Sequence, residues 1–245
     1  MSAIHYSDQS ARRMARLAGL SYVIYSATGI YITFGPIPGL GALAGGEAAS
    51  QSLEFLFRTG LLAEAVMYTF VVISAAAMYA VLRPVSQGGA LVGAFCRLIE
   101  SAMGATFIIF KYAAFAAIVN PDLSPGFSGE ERSALVTLLR DVYGSAIYFL
   151  LIPMAVGGVV FFALFFRSRF LPRWLAVWGM ITYLVVGTVA ATIILFPSVQ
   201  SHVMLFFMPG ALFEWVVALW LLFAGINTKR RTGQSPLAVR GAAAP

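Results

Sequence analysis

The chain is 245 residues long, 60% apolar and only 11% charged, with a mean hydropathy of +0.86; this excludes a water-soluble globule, because no fold of this size hides so much apolar surface from solvent. A single cysteine, Cys96, excludes an intramolecular disulfide, and two histidines are too few for a His-rich metal site or a pair of bis-His haems, so no cofactor and no metal is expected. The formal charge of +6 sits beside apolar runs rather than in an aromatic-interleaved patch, which points away from nucleic acid and toward membrane topology.

Residues 1–16 form a basic segment containing Arg12, Arg13 and Arg16. The apolar run Leu17 to Phe34 that follows is longer than the ~7 to 15 residues of a signal-peptide core, so Ala42-Leu43-Ala44 beyond it is not read as a cleavage site. A retained first span is expected, ended by Pro36 and Pro38. Gly35 to Glu54, rich in Gly and Ala, reads as a first external loop, flexible or partly helical.

Further apolar stretches follow at about 57–82, 89–119, 142–166, 172–196 and 203–226. Each is long enough to cross a hydrocarbon core of ~30 Å at 1.5 Å per residue. Their continuous apolar character favours helices over the alternating strands of a barrel. The fold class is therefore all-α, a polytopic transmembrane bundle of six helices over residues 17–226, leaving no room for a separate soluble domain. Ser128-Gly129-Glu130-Glu131 has the spacing of a capping box, so the fourth helix should start outside the bilayer and bend near Gly144 or Pro153. Residues 227–245 read as a basic, flexible tail whose Lys229-Arg230-Arg231 run serves chiefly as a topological anchor.

Orientation follows from the basic residues, which stay cytoplasmic. Arg12, Arg13, Arg16, Arg83, Arg167, Arg169, Arg173, Lys229, Arg230, Arg231 and Arg240 fall in one set of termini and loops, opposed there only by Asp8. Glu47, Glu54, Asp122, Glu130, Glu131 and Asp141 fall in the other. Both termini are expected in the cytoplasm.

The informative residues are those that cost free energy, since a charge near the bilayer centre costs ~2.5 to 3.5 kcal/mol on insertion scales. Arg58 and Glu64 in the second span, Arg97, Glu100 and Lys111 in the third, and Glu214 in the sixth qualify, and their charges sum to zero as paired burial requires. At 100° per residue, Arg97, Glu100, Gly104, Ile108 and Lys111 share an arc of roughly 60°. Gly104 in this stripe would let a neighbouring helix approach closely. Counting from the turn near Ser86 places Glu64 and Lys111 within about 5 Å of one level. The same counting brings Glu214 level with Arg97 and Glu100, so Arg97 is expected to serve both carboxylates and Glu64 to reach Lys111 or Arg58.

Two readings of this cluster stand. Buried pairs fix which helices touch, or a polar pocket binds an ion, a proton or a small polar ligand, the default meaning of ionisable residues in a membrane. The expected partners are the lipid bilayer, such a ligand, and a second copy or another membrane protein. No Gly-rich phosphate loop, zinc spacing or HExxH motif occurs, so an enzyme is not expected. Trp174 and Trp178 beside Arg173 read as an interfacial belt, His202 as a solvated residue at the external end, and Cys96 as a small apolar filler. Gly60-Leu61-Leu62-Ala63-Glu64 echoes Gly210-Ala211-Leu212-Phe213-Glu214, and Gly19 to Tyr22 echoes Gly179 to Tyr183. Either chance or a parallel repeat of helices one and two as five and six would produce this.

Several of these residues also carry a family resemblance: Phe57-Arg58 followed by Glu64, Leu82-Arg83-Pro84-Val85, Arg97-Leu98-Ile99-Glu100, Phe170-Leu171-Pro172, and Glu214 in Pro209-Gly210-Ala211-Leu212-Phe213-Glu214. Their order and spacing, over about 11–228, resemble a bacterial membrane family known as domain of unknown function 4386. The resemblance implies a multi-helix protein of the bacterial inner membrane and supplies no activity, substrate or cofactor.

Overall fold

The computed structural model describes residues 8–35, 51–120 and 126–227. Pro36 and Pro38, the triplet at Ala42, most of the first external loop with Glu47, Asp122, and the tail with its Lys229-Arg230-Arg231 run lie outside the described residues. Six helices are long and apolar enough to cross a membrane: α1 (Asp8–Phe34), α2 (Gln51–Leu82), α3 (Gln87–Val119), α4 (Gly129–Ser168), α5 (Arg173–Leu195) and α6 (Pro197–Ala224). Among the described residues there is no strand.

Five helices start earlier than their apolar runs. α1 begins at Asp8 because Ala11, Ala15 and Ala18, spaced at i, i+4 and i+7, carry a buried stripe back through the basic segment, while Arg12, Arg13 and Arg16 stay exposed on the other face. α2 and α3 start a turn or so early, and Ser86 caps α3 by accepting from the Gly89 N–H at 3.2 Å. α4 starts at its capping box: the Glu131 N–H donates to Ser128 Oγ at 3.3 Å and the Ser128 N–H to Glu131 Oε2 at 2.7 Å. It then runs unbroken through Gly144 and Pro153 for 40 residues. α6 is the irregular one. Short 3-10 and α turns lead into an α segment, Met208–Leu219, and a π-helical turn, Trp220–Ala224.

Each helix packs on its neighbours in sequence, and α6 returns to α1, so the helices form a closed ring. The closing contact is very short. A Cβ at Gly19 of α1 would lie 2.5 Å from the Leu222 nitrogen and 2.8 Å from the Ala218 carbonyl oxygen of α6, so only a glycine lets these backbones meet.

The two ends of the ring are packed differently. At the end carrying Arg12, Arg83 and Arg169 one continuous core joins all six helices through Ala18, Leu82, Ala90, Phe165, Leu175 and Leu221. In lipid the hydrophobic effect does not distinguish a neighbouring helix from an acyl chain, so cohesion comes from dispersion at close range. Large rings accordingly seat on glycines of the adjoining helix: Phe161 on Gly93, Phe162 on Gly179 and Tyr183 on Gly158. At the opposite end the core divides in two. Phe57 and Phe115 hold α2 to α3, stacked at 4.8 Å, whereas Tyr148, Val189 and Ile193 hold α4 to α5. Between these clusters α1 and α4 make no substantial contact.

Gly19→Ala should lower stability by about 1 to 3 kcal/mol through overpacking against backbone that cannot rotate away. Gly144→Ala, with nothing within 4 Å of its Cβ, should stabilise by about 0.5 to 1 kcal/mol through helix propensity alone. Unfolding of both variants in detergent micelles checks the contrast, and equal effects would contradict ring closure at Gly19.

Candidate functional site

The gap between α1 and α4 is a cavity of about 340 Å³. Arg97, Glu100 and Glu214 lie at its inner part, and it runs past Met67 and Ile147 to Phe34, which is 80% exposed. Arg97 is ten residues into α3, counted from Gln87, about 15 Å of helix and hence near the middle of a hydrocarbon core of ~30 Å.

The six charges of the sequence analysis sort into three places. Arg58 sits on the second turn of α2 with its side chain 60% exposed. It pairs with Glu54 at 3.6 Å and lies 5.3 Å from the Phe115 ring centroid. The structure does not bring it to Glu64, because so close to the helix start its long stem reaches outward to polar surroundings at no desolvation cost.

Glu64 and Lys111 form an ion pair between α2 and α3. Side chains lean toward the N-terminus of their own helix, and α2 and α3 are antiparallel, so the two lean toward each other and meet at one level. The Lys111 ammonium also lies 5.2 Å from the Tyr143 ring of α4, which adds a cation–π contact and ties three helices together.

Arg97 and Glu100 are both buried and approach at 2.8 Å. This pair is one turn apart on a single helix, and its geometry is poor: neither Arg97 Nη1 nor Glu100 Oε2 makes an aligned hydrogen bond. Among the described residues no cation lies within 4 Å of Glu214, so Arg97 is not shared between two carboxylates at contact distance. The i, i+3 partner on its own helix takes the guanidinium first. Glu214 remains within electrostatic reach of Arg97 and accepts a long hydrogen bond, 3.5 Å, from the Tyr183 hydroxyl. It is half-buried because it also borders a second cavity of about 170 Å³ between α4, α5 and α6.

Sequence reasoning missed the tyrosines. Tyr22 and Tyr183 place their hydroxyls 3.2 Å apart at the centre of the ring, and Tyr25 stands with its ring centroid 5.8 Å from the Arg97 guanidinium carbon. Phenol hydroxyls in mid-span, at i and i+3 in α1, were the available signal, since a buried Tyr seeks a polar partner. The echo of Gly19 to Tyr22 in Gly179 to Tyr183 ends in these two touching hydroxyls. Gly104 admits the Tyr68 ring of α2, into which a Cβ would run, rather than a helix backbone. Among the described residues no group of three or more His, Cys, Asp and Glu side chains is placed to hold a metal. Cys96 is a free, partly buried thiol whose Cβ packs at Gly157. Trp174 and Trp178 join Trp220, whose ring meets Trp174 edge-on at 6.1 Å.

The family model described as a domain of unknown function, DUF4386, matches residues 17–225. No curated protein and no solved structure matches the chain.

Lys111→Met should destabilise by about 3 to 5 kcal/mol because it leaves Glu64 charged and unpaired, while the double variant Glu64→Leu/Lys111→Met should recover most of that loss. Unfolding in micelles measures the cycle. Additive losses in the double variant would mean the two side chains are not coupled.

Proposed function

The chain belongs to the DUF4386 family, whose description names no activity, and we propose that it binds a small polar or ionic solute inside the membrane and carries it across. The observation behind this reading is the position of the Arg97–Glu100 pair. The ion pair itself is made within one helix, and Arg97 reaches another helix only through the Tyr25 ring at 5.8 Å, so burying the pair with a misaligned contact costs more than an apolar pair would and returns little in helix pairing. It stands instead on the wall of a cavity, opposite Glu214. The Glu64–Lys111 pair is the contrasting case. It joins α2 to α3 and supports a purely structural reading for that part of the cluster. A subunit whose charges only fix packing would show every pair made in the second manner.

The direction of transport depends on topology. Helix alternation puts the start of α1, the turn at Arg83 and the turn at Arg169 at one end of the bundle, and we assign that end to the cytoplasm on the positive-inside rule. The divided end then faces outward, and the compartment that fits is the cytoplasmic membrane of a bacterium. A reporter fused after Ala242 is expected to be active only in the cytoplasm, and periplasmic activity would reverse the assignment.

The solute reading is tested on the full chain in micelles with a panel of small anions, cations and neutral polar solutes. At least one is expected to raise the unfolding midpoint of the wild type and to leave Glu100→Gln and Glu214→Gln unmoved, both variants remaining folded. If no solute moves the wild type and both variants collapse, the charges only hold the helices.

A further inference from the structure

We propose that the solute of this cavity is a small organic cation, an amine or quaternary ammonium, held between Glu214 and Glu100 with its apolar body against aromatic and thioether side chains. The inference rests on the reading of the cavity as a solute site and adds the sign and the chemical class.

The sign follows from the wall. It carries Arg97, Glu100 and Glu214, a formal net charge of −1. Arg97 is engaged by Glu100 at 2.8 Å, so an incoming anion would have to displace a carboxylate from its partner. Glu214 has no cation within 4 Å among the described residues. Glu100 Oε2, in a residue only 4% exposed, meets Arg97 Nη1 at 2.8 Å without an aligned hydrogen bond, so this carboxylate is only partly satisfied by its partner. Two carboxylates therefore border the same space with bonding capacity left over, and a cation is what satisfies them at that depth.

The class follows from the rest of the lining. Dedicated sites for a hard ion such as Ca²⁺ offer about six to eight oxygens, whereas this wall is mostly carbon, with Tyr25, Tyr68, Trp215, Met67 and Met154 around the carboxylates. An organic ammonium needs one counter-charge and ring faces, which is the composition found. The wall already solvates one cation in this way, since the Arg97 guanidinium stands over the Tyr25 ring at 5.8 Å. A volume of about 340 Å³ falls in the range of small-molecule sites.

The test compares tetramethylammonium chloride, sodium methanesulfonate and tert-butanol on the purified full chain in micelles, with ionic strength held by sodium chloride. Tetramethylammonium is expected to raise the unfolding midpoint, and the other two are not. Its affinity should fall about thirtyfold or more in Glu214→Gln and stay unchanged in Glu54→Gln, whose carboxylate lies at the exposed pair with Arg58. Should Glu214→Gln fail to fold, tryptophan fluorescence of the wild type provides a second reading: tetramethylammonium should change it, and Trp215→Phe should abolish the change. A response to methanesulfonate or tert-butanol without one to tetramethylammonium overturns the cation and leaves a solute site standing. Silence of all three overturns the cation, and silence of the wider solute panel removes the site as well. Tetramethylammonium binding undiminished in Glu214→Gln, or a fluorescence change that survives Trp215→Phe, overturns the placement.

Discussion

The bundle depends on a backbone contact between its first and last helices. Where Gly19 meets Ala218 and Leu222, no side chain intervenes, and in a solvent of acyl chains such short-range dispersion is the main reason for one helix to prefer another over lipid. Without it α1 would swing away on α2. Tyr22 would lose its hydroxyl partner on α5, the Tyr25 ring would leave Arg97, and the cavity would become a furrow open to lipid on one side. Burial of Arg97 and Glu100 is thus a consequence of a missing methyl group about a turn away from the tyrosines on α1.

That closure acts at one end only, and the difference between the ends explains where the charges sit. At the basic end one aromatic and aliphatic core is shared by all six helices, and the arginines there stand at its margin. Where the core divides, polar groups find space. Glu64 and Lys111 lie in the α2–α3 half, joined across two helices, while Arg97, Glu100 and Glu214 lie at the point where the halves part. The pair with Arg58 is solvated, the Glu64–Lys111 pair joins two helices but leaves Glu64 Oε2 without a partner, and the Arg97–Glu100 pair leaves an unaligned atom on both sides.

The six spans were legible in the sequence because an apolar run of about 18 residues or more has one low-energy state in lipid, and the capping box at Ser128 because its geometry is local. The early start of α1 was hidden because Arg12 and Arg13 mask the alanine stripe beneath them. Counting residues from a turn placed Glu64 beside Lys111 correctly, since both helices are regular between the turn and the pair. The same counting put Glu214 only near Arg97, because α6 contains a π turn that changes its rise and its facing. Arg58 was counted among the intramembrane charges because it falls inside the second apolar run, a criterion that ignores the reach of an arginine stem. The cavity itself had no signature in the sequence, since it arises from a contact that α1 and α4 fail to make.

The fourth helix has a mechanical consequence. It is a rod of 40 residues, about 60 Å, clamped near its C-terminal end by Phe161, Phe162 and Phe165 and starting from the capping box at its N-terminal end. Proline has no N–H, so the Pro153 ring removes one rung of the helical ladder and makes that turn the softest point of the rod. Leu150, Leu151 and Met154, which flank it, are wall residues of the cavity. A sideways force on the N-terminal turns therefore becomes torque about the clamp and flexure at Pro153. The lever arm converts a push at the membrane surface into a change in the width of the space in front of Glu214.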